Sequence, residues 1–406
     1  MTETEDQAIQ SYNAGLAHMR EGRLIEARTA YERAIAIRPR YGRAHHNLAA
    51  VLDDLGEHER AESHFRAAIA ADPNAAEPWA GLAGNQRLRG RLGAARQAYE
   101  HALALRVEFP AARWNLALID LAEGKFAEGW MNYLFRPTVD RQVAPLVELP
   151  KELGGTVVEI VDEQGLGDAL FFLRFAPLLR ARGAAIRYEP DPRLAGIVSR
   201  MLDVGTATST APTIRVALGD LPYLLNAETC PPPLPIPVLA DRTAAMAARL
   251  RDAGPPPYVG LTWRAGQRTE GFLFKEIPFE PLGHAVAHAK RTLVSVQRNP
   301  EADDHARLEQ AAGWKIADLS KHNDDLEDML ALMHLLDDYV AVSNTNIHLR
   351  AATGKGGRVL IPNPAEYRWM AAGTTSPWFA GFALYRQSLD GAWDTALTRL
   401  ADDLRS

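Results

Sequence analysis

The sequence predicts two kinds of structure in one chain: an all-α array of helical hairpins, followed by an α/β region in two halves. Three observations predict it. A 34-residue period of small, glycine and aromatic residues runs from Ala8 to Phe135. From Thr156 onward, short β-branched runs alternate with helical runs, the pattern of a parallel sheet with crossover helices. Two proline-rich breaks, Pro231 to Pro237 and Gly254 to Pro257, divide that region. The expected domains are residues 1–140, 141–240 and 241–406.

Bulk properties narrow the function. A chain of 406 residues is long enough for two or three domains. The net charge of −6 argues against nucleic acid or an anionic membrane as the main partner. Cys230 is the single cysteine, so neither a disulfide framework nor a cysteine metal site is expected. No apolar run is long enough for a membrane span, and the acidic start, Met1 to Asp6, has no signal-peptide pattern. The expected location is cytoplasmic.

The repeat comes first in the chain. Gly15, Ala49, Ala83 and Ala117 are spaced by 34, as are Gly22, Gly56, Gly90 and Gly124. Ala27, Ala61, Ala95 and Gly129 keep the same step, as do Tyr31, Phe65, Tyr99 and Tyr133. The small residue lets two helices approach, the glycine turns the chain, and the aromatic fills the gap between units. Pro39 and Pro73 close the first two units. These offsets resemble the tetratricopeptide repeat, in four units. Stacked repeats leave a concave groove. Asn13, Asn47 and Asn115 share one offset on the first helices, with Asn85 slightly displaced. Their amides both donate and accept, which suits a peptide backbone. A spacer or self-association surface is the alternative, so a homo-oligomer stays open. The fourth unit is aromatic where the others are charged, in Glu128 to Tyr133, and is read as a docking face. Pro145 to Pro150 is a stiff connector.

Expected strands are Thr156–Val161, Ala185–Tyr188, Thr213–Ala217, Tyr258–Trp263, Arg291–Val296, Tyr339–Val342 and Arg358–Ile361. One helix, about Thr243 to Arg251, lies between the proline-rich breaks. After the first strand comes Glu163-Gln164-Gly165-Leu166-Gly167-Asp168, then an amphipathic run from Ala169 to Leu179. That reads as strand, glycine loop and helix, with Gly165 and Gly167 allowing a tight turn and Asp168 at the helix start. Ligands of open α/β sheets sit outside the carboxyl ends of the strands, which makes this loop a candidate cleft floor.

Gly167-Asp168-Ala169-Leu170, with Pro177 and Leu178, resembles the opening loop and helix of heptosyltransferase-like glycosyltransferases of the GT-B fold. Trp114 to Tyr133, Leu326 to Gly354, Tyr367-Arg368-Trp369, Ser376 to Phe379 and Gly391 to Trp393 resemble bacterial proteins that join tetratricopeptide repeats to such a domain. Protein O-N-acetylglucosaminyltransferases share the architecture. The resemblance implies two Rossmann-like halves, an acceptor side at 141–240 and a nucleotide-sugar side at 241–406. It implies Asp168 as catalytic base, aided by the Gln164 loop, and no metal or cofactor. Trp263, Arg264, Lys275 and Gln297 fall at strand ends on the donor side, where Arg264 or Lys275 is placed to neutralise a leaving diphosphate. Ser343-Asn344-Thr345 precedes a helix opened by Asn346. Its hydroxyl and N–H groups suit a diphosphate, and His348 lies within reach of a phosphate oxygen. Two departures stand out: Asn344 replaces the family's usual aspartate, and Arg350 replaces a small residue. Arg350 is either a phosphate contact or a surface charge. Gly354 to Gly357 lacks P-loop spacing, and His284 with His288 lacks a third zinc ligand.

The favoured expectation is an inverting, metal-independent transferase that moves a sugar from a nucleotide sugar to a protein or peptide held by the repeats. The alternatives are a non-catalytic scaffold with a degenerate transferase domain, and a transferase acting on lipid or saccharide.

Overall fold

The computed structural model describes residues 3–202, 212–265, 275–287 and 291–405. The chain forms two compact units, Met1–Ile119 with Phe135–Pro137, and Asp120–Leu134 with Thr138–Ser406.

The first unit is helical. Its helices are α1 (Glu3–Arg20), α2 (Leu24–Ile37), α3 (Gly42–Asp54), α4 (His58–Ala71), α5 (Ala76–Leu88), α6 (Leu92–Leu105) and the start of α7 (Pro110–Ala122). Gly22, Gly56 and Gly90 turn the chain between paired helices at φ of 69°, 77° and 70°, the left-handed region that glycine enters without a Cβ clash. The aromatics Tyr31, Phe65 and Tyr99 are buried. Close approach explains the small residues: a Cβ at Gly15 would lie 2.4 Å from the Tyr31 ring, and one at Gly81 2.3 Å from Phe65.

The fourth hairpin is divided. Its second helix, α8 (Phe126–Tyr133), belongs to the second unit. There Trp130 is buried among Phe172, Phe175 and Trp378, with ring centroids 5.8–6.3 Å apart. The aromatic segment predicted as a docking face is thus part of the α/β unit's own core.

That unit contains a three-stranded parallel sheet ordered β2-β1-β3, from β1 (Val157–Val161), β2 (Ala185–Tyr188) and β3 (Thr213–Ala217). A six-stranded parallel sheet follows. Its strands are β4 (Tyr258–Thr262), β7 (Thr292–Ser295), β8 (Ile316–Asp318), β9 (Asp338–Val342), β10 (Gly357–Ile361) and β11 (Phe382–Arg386). A short antiparallel ribbon pairs β5 (Arg264–Ala265) with β6 (Lys275–Glu276). The six strands run β11-β10-β9-β4-β7-β8. Counted from β4, that is the 3-2-1-4-5-6 order of a dinucleotide-binding Rossmann sheet, whose switch point lies between β4 and β9. The seven predicted strands are present, shifted by a residue at some ends. The sequence reading omitted β8, β11 and the ribbon.

Helices Phe279–Val286, Asp304–Ala312 and Asp394–Arg405 pack as one group, and Ala240–Ala253, Leu326–Leu335 and Thr345–Ala352 as another. The helix expected at Thr243 to Arg251 is the longer Ala240–Ala253, with Met246 and Leu250 buried. The run Ala169 to Leu179 is not one helix. It divides into Leu166–Phe172, a 3-10 turn Leu173–Phe175, and Ala176–Ala181. Pro177 lacks an N–H and favours a fresh helix start.

Candidate functional site

The segments that follow β1, β3, β9 and β10 meet at one place. After β1, Glu163 turns its carboxylate to the backbone N–H groups of Leu218 and Gly219, both at 3.1 Å, and so ties the end of β1 to the end of β3. Gln164 reaches the Tyr133 hydroxyl at 3.4 Å. Gly165 stands before helix Leu166–Phe172 with φ −78°, and Gly167 lies within its first turn. Neither glycine uses a left-handed conformation, so the tight-turn explanation is corrected. Gly167 answers a different need: a Cβ there would sit 3.2 Å from His348 Cδ2 and 3.6 Å from Thr345 Cα. The helix after β1 therefore touches the helix after β9.

Asp168 does not cap its helix. Its carboxylate pairs with the guanidinium of Arg368, a residue 200 positions away. Arg368 lies over the rings of Phe171 and Tyr367, 4.8 and 5.1 Å from their centroids. Burial pulls its pKa down to about 10. Beyond it, Glu366 pairs with Lys275 and accepts from the Ser343 hydroxyl at 3.0 Å. Lys275 also donates to the Ser343 carbonyl at 3.0 Å. Asp168, Gly167, Thr345, His348 and Lys275 thus converge beside the switch point.

His348 is buried among Phe379 and Phe171, 5.2 and 6.2 Å between centroids. Burial first, then the cations Arg174 and Lys275, push its pKa down to about 3. It is a neutral imidazole at physiological pH, and its Nδ1 is buried without a partner. Any contact to phosphate is therefore from a neutral N–H rather than an imidazolium.

The other predicted donor-side residues are occupied within the fold. Trp263 is fully buried against Phe279 and His305. Arg264 is held by Glu301 at 2.8 Å and Asp304 at 2.9 Å. The Gln297 amide accepts from the N–H groups of Trp263 and Arg264 at 3.1 and 2.9 Å and donates to the Arg264 carbonyl at 3.0 Å, clamping the end of β4. Asn346 donates to Asn323 at 3.1 Å. Asn344 is the helix cap: its oxygen accepts from Ile347 N–H at 3.3 Å, and its NH2 donates to Val342 O at 2.9 Å and to the Tyr339 hydroxyl at 3.1 Å. An aspartate there would cap but could not donate, so the amide has its own structural reason. Arg350 is neither a phosphate contact nor a surface charge. It is 2% exposed and donates to the carbonyls of Met333, Leu336, Asp337 and Gly356.

Two cations escaped the sequence reading as site residues. Arg368 was visible only inside the aromatic Tyr367-Arg368-Trp369. Arg174 is buried and donates to the carbonyls of Phe171, Pro231 and Trp378 at 2.9, 3.1 and 2.9 Å. A cavity of about 400 Å³ opens at the amino ends of β9, β10 and β11, between Asp338, Lys355 and Arg358. Its cations are tied down, Lys355 to Leu336 O and Arg358 to Asp338. It lies at the sheet edge opposite to Thr345, away from where α/β sheets take ligands. Among the described residues no group of three or more His, Cys, Asp or Glu is arranged for a metal ion. His288 lies outside the described residues. Among the described residues no helix is long and apolar enough to cross a membrane.

In the repeats the asparagines differ in role. Asn13 is exposed. Asn47 donates to the hydroxyls of Tyr12 and Tyr31 at 3.2 and 3.4 Å. Asn85 is fully buried and bonds Asp53 and the His58 carbonyl. Asn115 folds back onto Ala111 O at 2.9 Å. They do not make a uniform polar ladder, and Asn85 is not a groove residue.

Hairpins of this geometry match the tetratricopeptide repeat family over residues 7–74. The N-terminal array is a tetratricopeptide-repeat module. Such a module is of the protein-interaction kind. Over 414 aligned residues the chain is 25% identical to Protein FlbA of Caulobacter vibrioides, with 92% of this chain and 63% of FlbA covered. The chain therefore spans less than two thirds of that relative. Tetratricopeptide repeat protein 7B of Homo sapiens is 34% identical over 95 residues, 23% of this chain and 11% of its own length. Among solved structures, the second TPR domain of human RPAP3, in complex with an HSP70 peptide, is 26% identical with a TM-score of 0.28, covering 29% of this chain and 98% of its own. Pseudomonas aeruginosa pilF is 24% identical with a TM-score of 0.31, covering 33% and 61%.

Proposed function

We propose that the chain is an inverting, metal-independent glycosyltransferase that moves a sugar from a nucleoside diphosphate sugar to a protein or peptide held by the repeats. The observation that carries the proposal is the meeting of the helices that follow β1 and β9, at Gly167 and His348, beside the switch point of a Rossmann-ordered sheet. Asp168 lies on the acceptor side as the base that takes a hydroxyl proton. On the donor side Thr345, the N–H groups of its helix and the Lys275 ammonium receive the leaving diphosphate. The resemblance to the GT-B transferases supports the same division of roles. The repeats, a protein-interaction module, supply the acceptor.

A second reading, a non-catalytic binding module, draws on one observation: Asp168 is paired with Arg368 and so is not a free base. A thermal-shift panel of uridine, guanosine, cytidine and adenosine diphosphate sugars separates the two readings. The transferase reading expects one donor to raise the melting temperature of the α/β unit. Stabilisation by none of them would favour the binding module.

A further inference from the structure

Four charged side chains of alternating sign form one run of contacts: Asp168, Arg368, Glu366 and Lys275. Arg368 Nη2 pairs with Asp168, while its Nη1 lies 3.7 Å from Glu366 Oε2. Glu366 is already engaged by Lys275 and by the Ser343 hydroxyl at 3.0 Å. Arg368 therefore sits nearer to Asp168 than to Glu366. Its Nε is buried without a partner, so the guanidinium is not locked by a full set of bonds. Asp168 is the most exposed of the four side chains, at 30%, against 13% for Arg368, 21% for Glu366 and 12% for Lys275. Of the four, it is the one that water can best solvate if its partner leaves.

We propose that Arg368 and Glu366 are positioning residues that couple the arrival of a diphosphate at Lys275 to the release of Asp168. The inference rests on the donor reading above. A diphosphate beside Lys275 draws the ammonium away from Glu366. Glu366 keeps only the Ser343 hydroxyl and takes up Arg368. Asp168 is left as an unpaired carboxylate facing the cleft. Arg368–Glu366, already 3.7 Å apart, tightens as Asp168–Arg368 and Glu366–Lys275 give way to it and to a Lys275–phosphate pair. The exchange leaves unpaired only Asp168, the most exposed of the four, and so avoids stranding a more deeply buried charge, the costly outcome for such pairs. It also sets an order, in which the donor binds before the acceptor loses its proton.

Isothermal titration of inorganic pyrophosphate into the full chain tests the coupling, using wild type, Asp168→Asn, Glu366→Gln and the double variant. Both substitutions keep side-chain shape, and circular dichroism checks the fold. The relay predicts that Asp168→Asn tightens pyrophosphate roughly fivefold, because Arg368 passes to Glu366 and loosens Lys275. In the Glu366→Gln background the same change should alter affinity by less than about twofold. Plain charge removal would tighten binding equally in both backgrounds, and that additivity would overturn the relay. So would an absence of pyrophosphate binding in every form. Failure of the transferase reading has a different signature: a coupled pyrophosphate cycle with no nucleotide sugar bound.

Discussion

His348 offers a quantitative test of how the site is built. Its pKa is pushed down to about 3 in the fold, against about 6.5 in an unfolded chain. As pH falls, the unfolded state takes the proton first. The contribution of a neutral His348 to stability is therefore whole above pH 6.5 and is lost progressively toward about pH 3. Between pH 7.5 and 5.0 the unfolded imidazole gains its proton over about 1.5 units, while the folded one stays neutral. At about 1.36 kcal/mol per unit the chain loses about 2 kcal/mol from this residue. His46 and His64 are also shifted down by burial and lose stability with the same sign. A comparison with His348→Asn removes their share. Urea unfolding followed by tryptophan fluorescence reads the α/β unit through the buried Trp263, Trp369 and Trp378. The expected result is a loss between the two pH values that is smaller in the variant by about 2 kcal/mol. An equal loss in both proteins would show that His348 is solvated, and that the wall against Gly167 is not as closed as described.

Arg350→Met should cost about 3 kcal/mol, because four backbone carbonyls lose a charged donor inside the fold; a urea midpoint within experimental error of wild type would contradict that placement. Asn344→Asp keeps the cap to Ile347 but loses the donors to Val342 O and the Tyr339 hydroxyl, so it should destabilise the α/β unit by about 1–2 kcal/mol at pH 7.5. Thermal unfolding measures it, and a variant as stable as wild type would show that the amide protons contribute nothing.

Local chemistry made much of the fold readable. Gly22, Gly56, Gly90 and Gly124 announce left-handed turns that only the backbone at those points requires. The β-branched runs from Val157 to Ile361 mark buried parallel strands, because both faces of such a sheet are covered. The shorter β8 was hidden, since a three-residue strand at the sheet edge has too few residues to show a period. Side-chain roles at the cleft were less readable. Arg350 is bound by carbonyls 6 to 17 positions away, and nothing in a single arginine tells that it turns inward. Asp168 meets Arg368 across 200 residues, a pairing that only the tertiary packing brings about. In the sequence Asn344 reads as a lost carboxylate, whereas its two donor bonds give the amide a structural role. The ion pair that holds Asp168, on the acceptor side, is the contact on which a base role there depends.

Catalysis by that residue is the central claim, and sugar transfer by Asp168→Asn tests it most directly. Once the panel has identified a donor, transfer to a protein acceptor is followed by intact mass, alongside donor affinity by titration. The proposed mechanism predicts that transfer falls by at least about 100-fold while the donor still binds, as expected for loss of a general base. Transfer at the wild-type rate by Asp168→Asn would contradict it.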